Sequence, residues 1–208
     1  MGFDIDEINK LIPPDLAEQK KGRLREGLRQ FSESNNSRDK YYTDFYLQTS
    51  FNYFLQGDLI RELRFPTFNN VTGQYQKLYF DALLISNTCD VDESNKNTVT
   101  KKVVLAKLIP VNLYVASLKE LAVENAADIL TQIKNQQFSN ILYLPPNKEK
   151  NEYLAYFDDL CTIKKEELNV LKEEIILNRI ESLDYFGYYL FIFKLSYHFC
   201  RLPEETER

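Results

Sequence analysis

The chain has no tryptophan, one histidine, one methionine, six glycines and three cysteines in 208 residues. Each scarcity excludes something. The glycines form no GxGxxG or Walker pattern, so no loop can cradle a phosphate with successive backbone amides and classical nucleotide binding is not expected. Cys89, Cys161 and Cys200 are odd in number, widely spaced and make no CxxC pair, which fits a reducing compartment rather than a disulfide framework. His198 is the only imidazole base available to activate a nucleophile. A formal charge of −5 lacks the basic excess that broad binding to nucleic acid requires. Long uncharged apolar runs are also missing. Residues 183–200 come nearest, but Asp184 and Lys194 fall inside them, and each charge costs about 2.5–3.5 kcal/mol at a bilayer centre. A buried core helix is expected there instead. The N-terminus, MGFDIDEINK, has no apolar stretch of the secretory kind, and Asp6 stands where myristoylation wants Ser or Thr. The expected location is cytoplasmic, with no membrane contact.

What is present is ordinary globular composition, 44% hydrophobic and 27% charged, enough for one domain with its own core. Aromatic content sits in 14 Tyr and 14 Phe, suited to half-buried positions where a ring packs and a hydroxyl finds a partner. Lys20, Lys21, Arg23, Arg25 and Arg29 form a local basic run, but Glu18 and Glu26 are interspersed, which reads as a solvated helix face.

Periodicity divides the chain into a helical arm over residues 1–40 and a domain over 41–208. Ile5, Ile8 and Ile12, then Leu24, Leu28 and Phe31, recur at helical spacing. Residues 32–40 read as a loop and 41–55 as an extended, Tyr- and Phe-rich segment. The pattern then changes. After the turn Gln56-Gly57-Asp58, strands are expected at 59–65, at 78–86 (buried on both faces) and at 103–111. Ser117 and Glu120 make a capping box for a helix running to about residue 135. Strands follow at 141–144 and 153–163; residues 173–180 read as strand or helix, with strand favoured, and a closing helix is expected at 183–201. The expected class is α+β: a small, strongly bent antiparallel sheet or half-open barrel, with N-terminal helices, one inserted helix and a C-terminal helix.

The turn Ser86-Asn87-Thr88-Cys89-Asp90 is the first candidate for a site, because strand ends feeding loops commonly present functional groups. A nucleophilic cysteine needs a nearby base or cation, yet the neighbour of Cys89 is the anion Asp90. The structural alternative is that Cys89 fills a small buried hole while Asp90 caps backbone amides. Cys89, Asp90, His198 and Arg201 together make a candidate pocket or structural corner. No metal or other cofactor is expected. Asp90 to Glu93 misses the calcium-loop template, since Asn95 and Lys101 occupy the sixth and twelfth positions. His198 and Cys200, two apart on a helix, point about 200° from each other.

Three segments carry a resemblance. They are Gly57-Asp58-Leu59-Ile60 with Ala82 through Asp90; Val103 through Pro110; and Tyr143-Leu144-Pro145-Pro146 with a strand through Asp158 to Ile163 and the ending His198-Phe199-Cys200-Arg201-Leu202-Pro203. Together, over roughly residues 55–203, they resemble widespread bacterial proteins with a Ser-Gln-x-Cys-Asp element, Asn87 standing in place of the Gln. The first two are also similar to the core of PemK/MazF-like toxins. That likeness implies an SH3-like half-open barrel and, as one alternative, a ribonuclease acting on single-stranded RNA, with Arg61, Arg64 or Lys107 contacting phosphate. Phe80-Asp81 replaces the toxins' Arg-Pro pair, and Pro110-Val111 offers no hydroxyl. The leading expectation is a non-enzymatic interaction or regulatory module of a defence or toxin–antitoxin type, its partner another protein.

Overall fold

The computed structural model describes residues 18, 21–26, 42, 45–49, 51–92, 101–170 and 178–200. The readings at residues 5–12 and 32–40, at 93–100 and 173–177, and at Arg201 lie outside them. The architecture is α+β, built on a strongly curved antiparallel sheet that does not close. Among the described residues, six strands run in the order β4-β5-β3-β2-β1-β6: β1 (Asp58–Asn69), β2 (Gln74–Leu84), β3 (Lys102–Pro110), β4 (Ile141–Leu144), β5 (Tyr153–Lys164) and β6 (Arg179–Ser182). The helices are α1 (Thr88–Val91), α2 (Val111–Glu120), α3 (Ala126–Lys134), α4 (Lys165–Val170) and α5 (Tyr185–Cys200). Residues 21–26 are helical, and Leu24 is buried in the same core as Phe45 and α5.

Alternation along the strands feeds two cores. Leu59, Leu83, Ala106 and Phe157 face one side, where α5 covers them with Phe186, Leu190, Phe191 and Phe193. Ile60, Ala82, Leu84, Val103 and Leu105 face the other, covered by Phe54, Val91 of α1 and Leu168 of α4. A third cluster joins Val111, Ile133, Ile141 and Leu154. The bend has a local cause. Between the pairs Ile60–Ala82 and Leu63–Phe80 one extra residue sits on β1, with Glu62 at φ 51° and its amide donated to Asp81 Oδ1 at 3.0 Å. A bulge of this kind increases twist and turns the strand. The register also shifts between Ala106 and Leu108 on β3.

Several expectations need correction. The helix expected to open at Ser117 begins at Val111, with Pro110 as its N-cap. Ser117 lies inside it, its hydroxyl donating to the Leu113 carbonyl at 3.1 Å. Ala122, at φ 52°, ends that segment, so α2 and α3 replace one long inserted helix. β2 begins four residues before the expected start, and only its last three residues are buried. Within 173–180, where the sequence favours strand over helix, the described part is helical at residue 178 and extended from Arg179. Asp184 precedes α5 instead of interrupting it, accepting the Gly187 amide at 2.9 Å as an N-cap. Among the described residues no helix is long and apolar enough to cross a membrane.

Gly187 marks a close approach of α5 to Phe45. A Cβ there would lie 2.7 Å from the Phe45 carbonyl oxygen and 3.1 Å from its ring. Gly187→Ala is therefore expected to destabilise the protein by about 1–3 kcal/mol through overpacking, measured by urea unfolding. An unchanged midpoint would contradict this packing of the Phe45 segment.

Candidate functional site

The Ser86–Asp90 turn is a satisfied corner. Ser86 Oγ accepts the Val104 amide at 2.8 Å, Thr88 Oγ1 accepts the Gln56 amide at 2.9 Å, and Gln56 Nε2 donates to the Ile85 carbonyl at 2.8 Å. Asn87, not Asp90, is the cap, its Oδ1 accepting the Cys89 amide at 2.9 Å. The expectation that Cys89 fills a buried hole is corrected: Cys89 is exposed, and Val91 enters the core in its place. The reason is the short helix α1, which turns Cys89 outward and Val91 inward.

His198 serves a different place. Its Nε2 lies 3.1 Å from Asp158 Oδ1, and its ring lies 6.1 Å from that of Phe157. What α5 presents to the corner is Tyr188, whose hydroxyl donates to Gln56 Oε1 at 3.1 Å. At 1.5 Å per residue His198 lies roughly 15 Å further along the helix. Among the described residues, its hydrogen bonds and ring contacts include none with Cys89 or Asp90.

The three cations expected at phosphate are separated. Arg61 Nη2 pairs with Glu149 at 2.9 Å. Lys107 pairs with Asp159 at 2.7 Å and sits 4.8 Å over the Phe80 ring. Arg64 is exposed and stands opposite Tyr79 in the β1–β2 register. Arg64 and Tyr79 share one face of the sheet while Phe80 faces the other, because successive strand residues alternate.

Other polar groups are internally engaged. Lys134 holds Glu152 at 3.0 Å, and Tyr143 donates to the same carboxylate at 3.1 Å. Burial first, and Glu152 second, push the Tyr143 hydroxyl far above its ordinary value of 10, so it stays a proton donor. Cys161 is pushed up to about 11 by burial, the opposite of what a nucleophile needs. A cleft of about 250 Å³ beside β6 is lined by Leu47, Lys148, Arg179 and Glu181 among others, but Arg179 is committed to Asp58 and Lys148 lies 3.8 Å from Glu181. Among the described residues no three His, Cys, Asp or Glu side chains gather as metal ligands.

The arrangement that sequence reasoning missed is the free end of β1 and β2. β6 pairs with β1 only at Asp58–Ile60, and β3 with β2 only at Ala82–Leu84. Beyond these, residues 63–69 and 74–80 run on as a two-stranded ribbon. Asn69 closes its turn by accepting the Val71 and Thr72 amides at 2.9 and 3.1 Å, and Gly73 takes φ 67°. Phe65 packs against Phe80 on one face, where Leu63 and Phe65 are buried. The other face carries Arg64 and Tyr79 as one pair, Lys77 in the next, and Phe68 with Tyr75 in the third, whose rings meet edge to face at 5.3 Å. All five of these side chains are exposed. The clue was the spacing by two of Arg64, Pro66 and Phe68 and of Tyr75, Lys77 and Tyr79, around Asn69–Gly73.

No protein-family model, curated protein or solved structure matches this chain.

Proposed function

We propose that this chain is a non-enzymatic interaction module whose working surface is the outer face of the β1–β2 ribbon. The supporting observation is the exposure of three large rings on one narrow face: Phe68 at 49%, Tyr75 at 77% and Tyr79 at 64%. Two of these are tyrosines, whose rigid amphipathic rings are favoured at recognition surfaces. Among the described residues no core cluster includes these three rings, while the opposite face supplies the apolar contacts that hold the ribbon to the domain. The setting suggested by the resemblance is a bacterial defence or toxin–antitoxin system. A ribonuclease of that kind is less well supported, because Arg61 and Lys107 are held by Glu149 and Asp159.

Photocrosslinking in cells tests this reading. Tyr75→p-benzoylphenylalanine is expected to capture a discrete macromolecule, while the same photoprobe at Leu121, which is exposed at the end of α2, is not. Equal, diffuse labelling from both positions would overturn the proposal.

A further inference from the structure

We infer that the ribbon's ligand is a single-stranded nucleic acid, bound by ring stacking and two phosphate contacts; this rests on the ribbon being the binding surface. The first reason is charge. Every ionisable side chain among the five exposed groups that is charged at neutral pH is a cation, Arg64 and Lys77, and neither forms an ion pair among the described residues. The chain as a whole is −5, so two cations with no acid from the Arg64–Tyr79 pair out to the Phe68–Tyr75 pair are a local departure; acids enter only at the bulge, as the exposed Glu62 and as Asp81. The next residue on that face of β2, Asp81, is already engaged by the Glu62 amide and the Tyr153 hydroxyl and lies in the field of Arg61. It closes the patch.

The second reason is the alternation of rings and cations. Tyr79 is followed two residues away by Lys77 and two further by Tyr75, all on one face, so the two tyrosines are separated by about 13–14 Å along the strand. Arg64 stands beside Tyr79 and Phe68 beside Tyr75. Unstacked bases lie on aromatic rings whatever their identity, and interleaved cations meet the backbone between them. An acidic protein surface would satisfy Arg64 and Lys77, but it would leave Tyr75 and Tyr79, the two most exposed rings on the face, without flat partners. A duplex hides its base faces and cannot stack on them.

The test is fluorescence anisotropy of the full chain with fluorescein-labelled, mixed-sequence single-stranded RNA, single-stranded DNA and duplex DNA. Saturable binding of at least one single strand, in preference to duplex, is expected. Two phosphate contacts give a log–log salt slope of about −1.4, at about 0.7 each. Tyr75→Ala and Tyr79→Ala are each expected to weaken binding roughly 5- to 150-fold, and Lys77→Gln to flatten the slope by about 0.7. All three positions are exposed, so unchanged thermal midpoints certify the fold. Preference for duplex, or single-strand binding indifferent to Tyr75 and Tyr79, would overturn the inference. So would absence of binding at low salt, and the crosslink from position 75 then separates the two ideas. A protein adduct leaves the ribbon as the binding surface with a different partner, and no discrete adduct removes both.

Discussion

Lys194→Met is expected to abolish a rise in stability that the wild-type protein shows between neutral and alkaline pH. Lys194 is fully buried in α5, and its Nζ donates to the carbonyls of Gln136 at 3.1 Å and Phe138 at 2.6 Å. Burial pulls its pKa from 10.5 down to about 7. A neutral amine has two N–H donors, which matches the two carbonyls. Below about pH 7 both native and unfolded chains hold the proton, and the native state carries the full cost of a buried charge. Between pH 7 and about 10.5 the native amine is neutral while the unfolded one is still protonated. The unfolded state then binds more protons, so stability increases with pH, by about 1.4 kcal/mol per unit. From pH 7 to pH 9 the gain is about 2–3 kcal/mol. Denaturant unfolding of wild type and Lys194→Met at these two pH values isolates it, because other titrating groups cancel in the difference. A wild-type-minus-variant difference that does not change with pH would show that the native amine is not neutralised.

Asp58→Ala is expected to cost about 3–5 kcal/mol, the range for breaking one partner out of a buried ion pair. Asp58 is fully buried. Its Oδ2 accepts from Arg179 Nε and from the Leu55 amide, each at 2.9 Å, and its Oδ1 accepts from Ser182 Oγ at 2.6 Å. Arg179 continues the network, donating Nη1 to the Phe51 carbonyl at 2.7 Å and Nη2 to that of Tyr53. Removing the carboxylate strands a guanidinium, an amide and a hydroxyl together. Burial raises the Asp58 pKa more than Arg179 and Ser182 lower it, so the intact pair adds little net stability. Asp58 stands opposite Ser182 where β6 pairs with β1, so the network ties these two strands to each other and to the Phe51–Tyr53 segment. The combined Asp58→Leu, Arg179→Met protein should therefore lose less than the two single losses added, with a coupling of about 1–3 kcal/mol. Strict additivity in urea unfolding would argue against the network.

The elements most legible in the sequence were those whose signal is local. β3, β4, β5 and α5 lie within one or two residues of expectation because each is a dense apolar run stopped by Pro110, Pro145, charged residues or the Asp184 cap. The inserted helix was misplaced because Ser117 and Glu120 satisfy a capping template that Pro110 and Ala122 override through backbone geometry. The outer half of the ribbon was missed because Pro66, Thr67, Asn69 and Gln74 resemble loop composition. Its strand character comes from pairing, not from propensity. The corner at Ser86–Asp90 was found, but the outward turn of Cys89 depended on α1.

Composition and local order thus determined the α+β class, the apolar runs that become the two cores, and the charge that interrupts α5. Tertiary structure alone decided what those charges do. Asp58 meets Arg179 across 121 residues and Lys194 meets Gln136 across 58. Periodicity and capping act over one or two helical turns, whereas such meetings depend on strand order and bulges, and these follow from the packing of the whole chain.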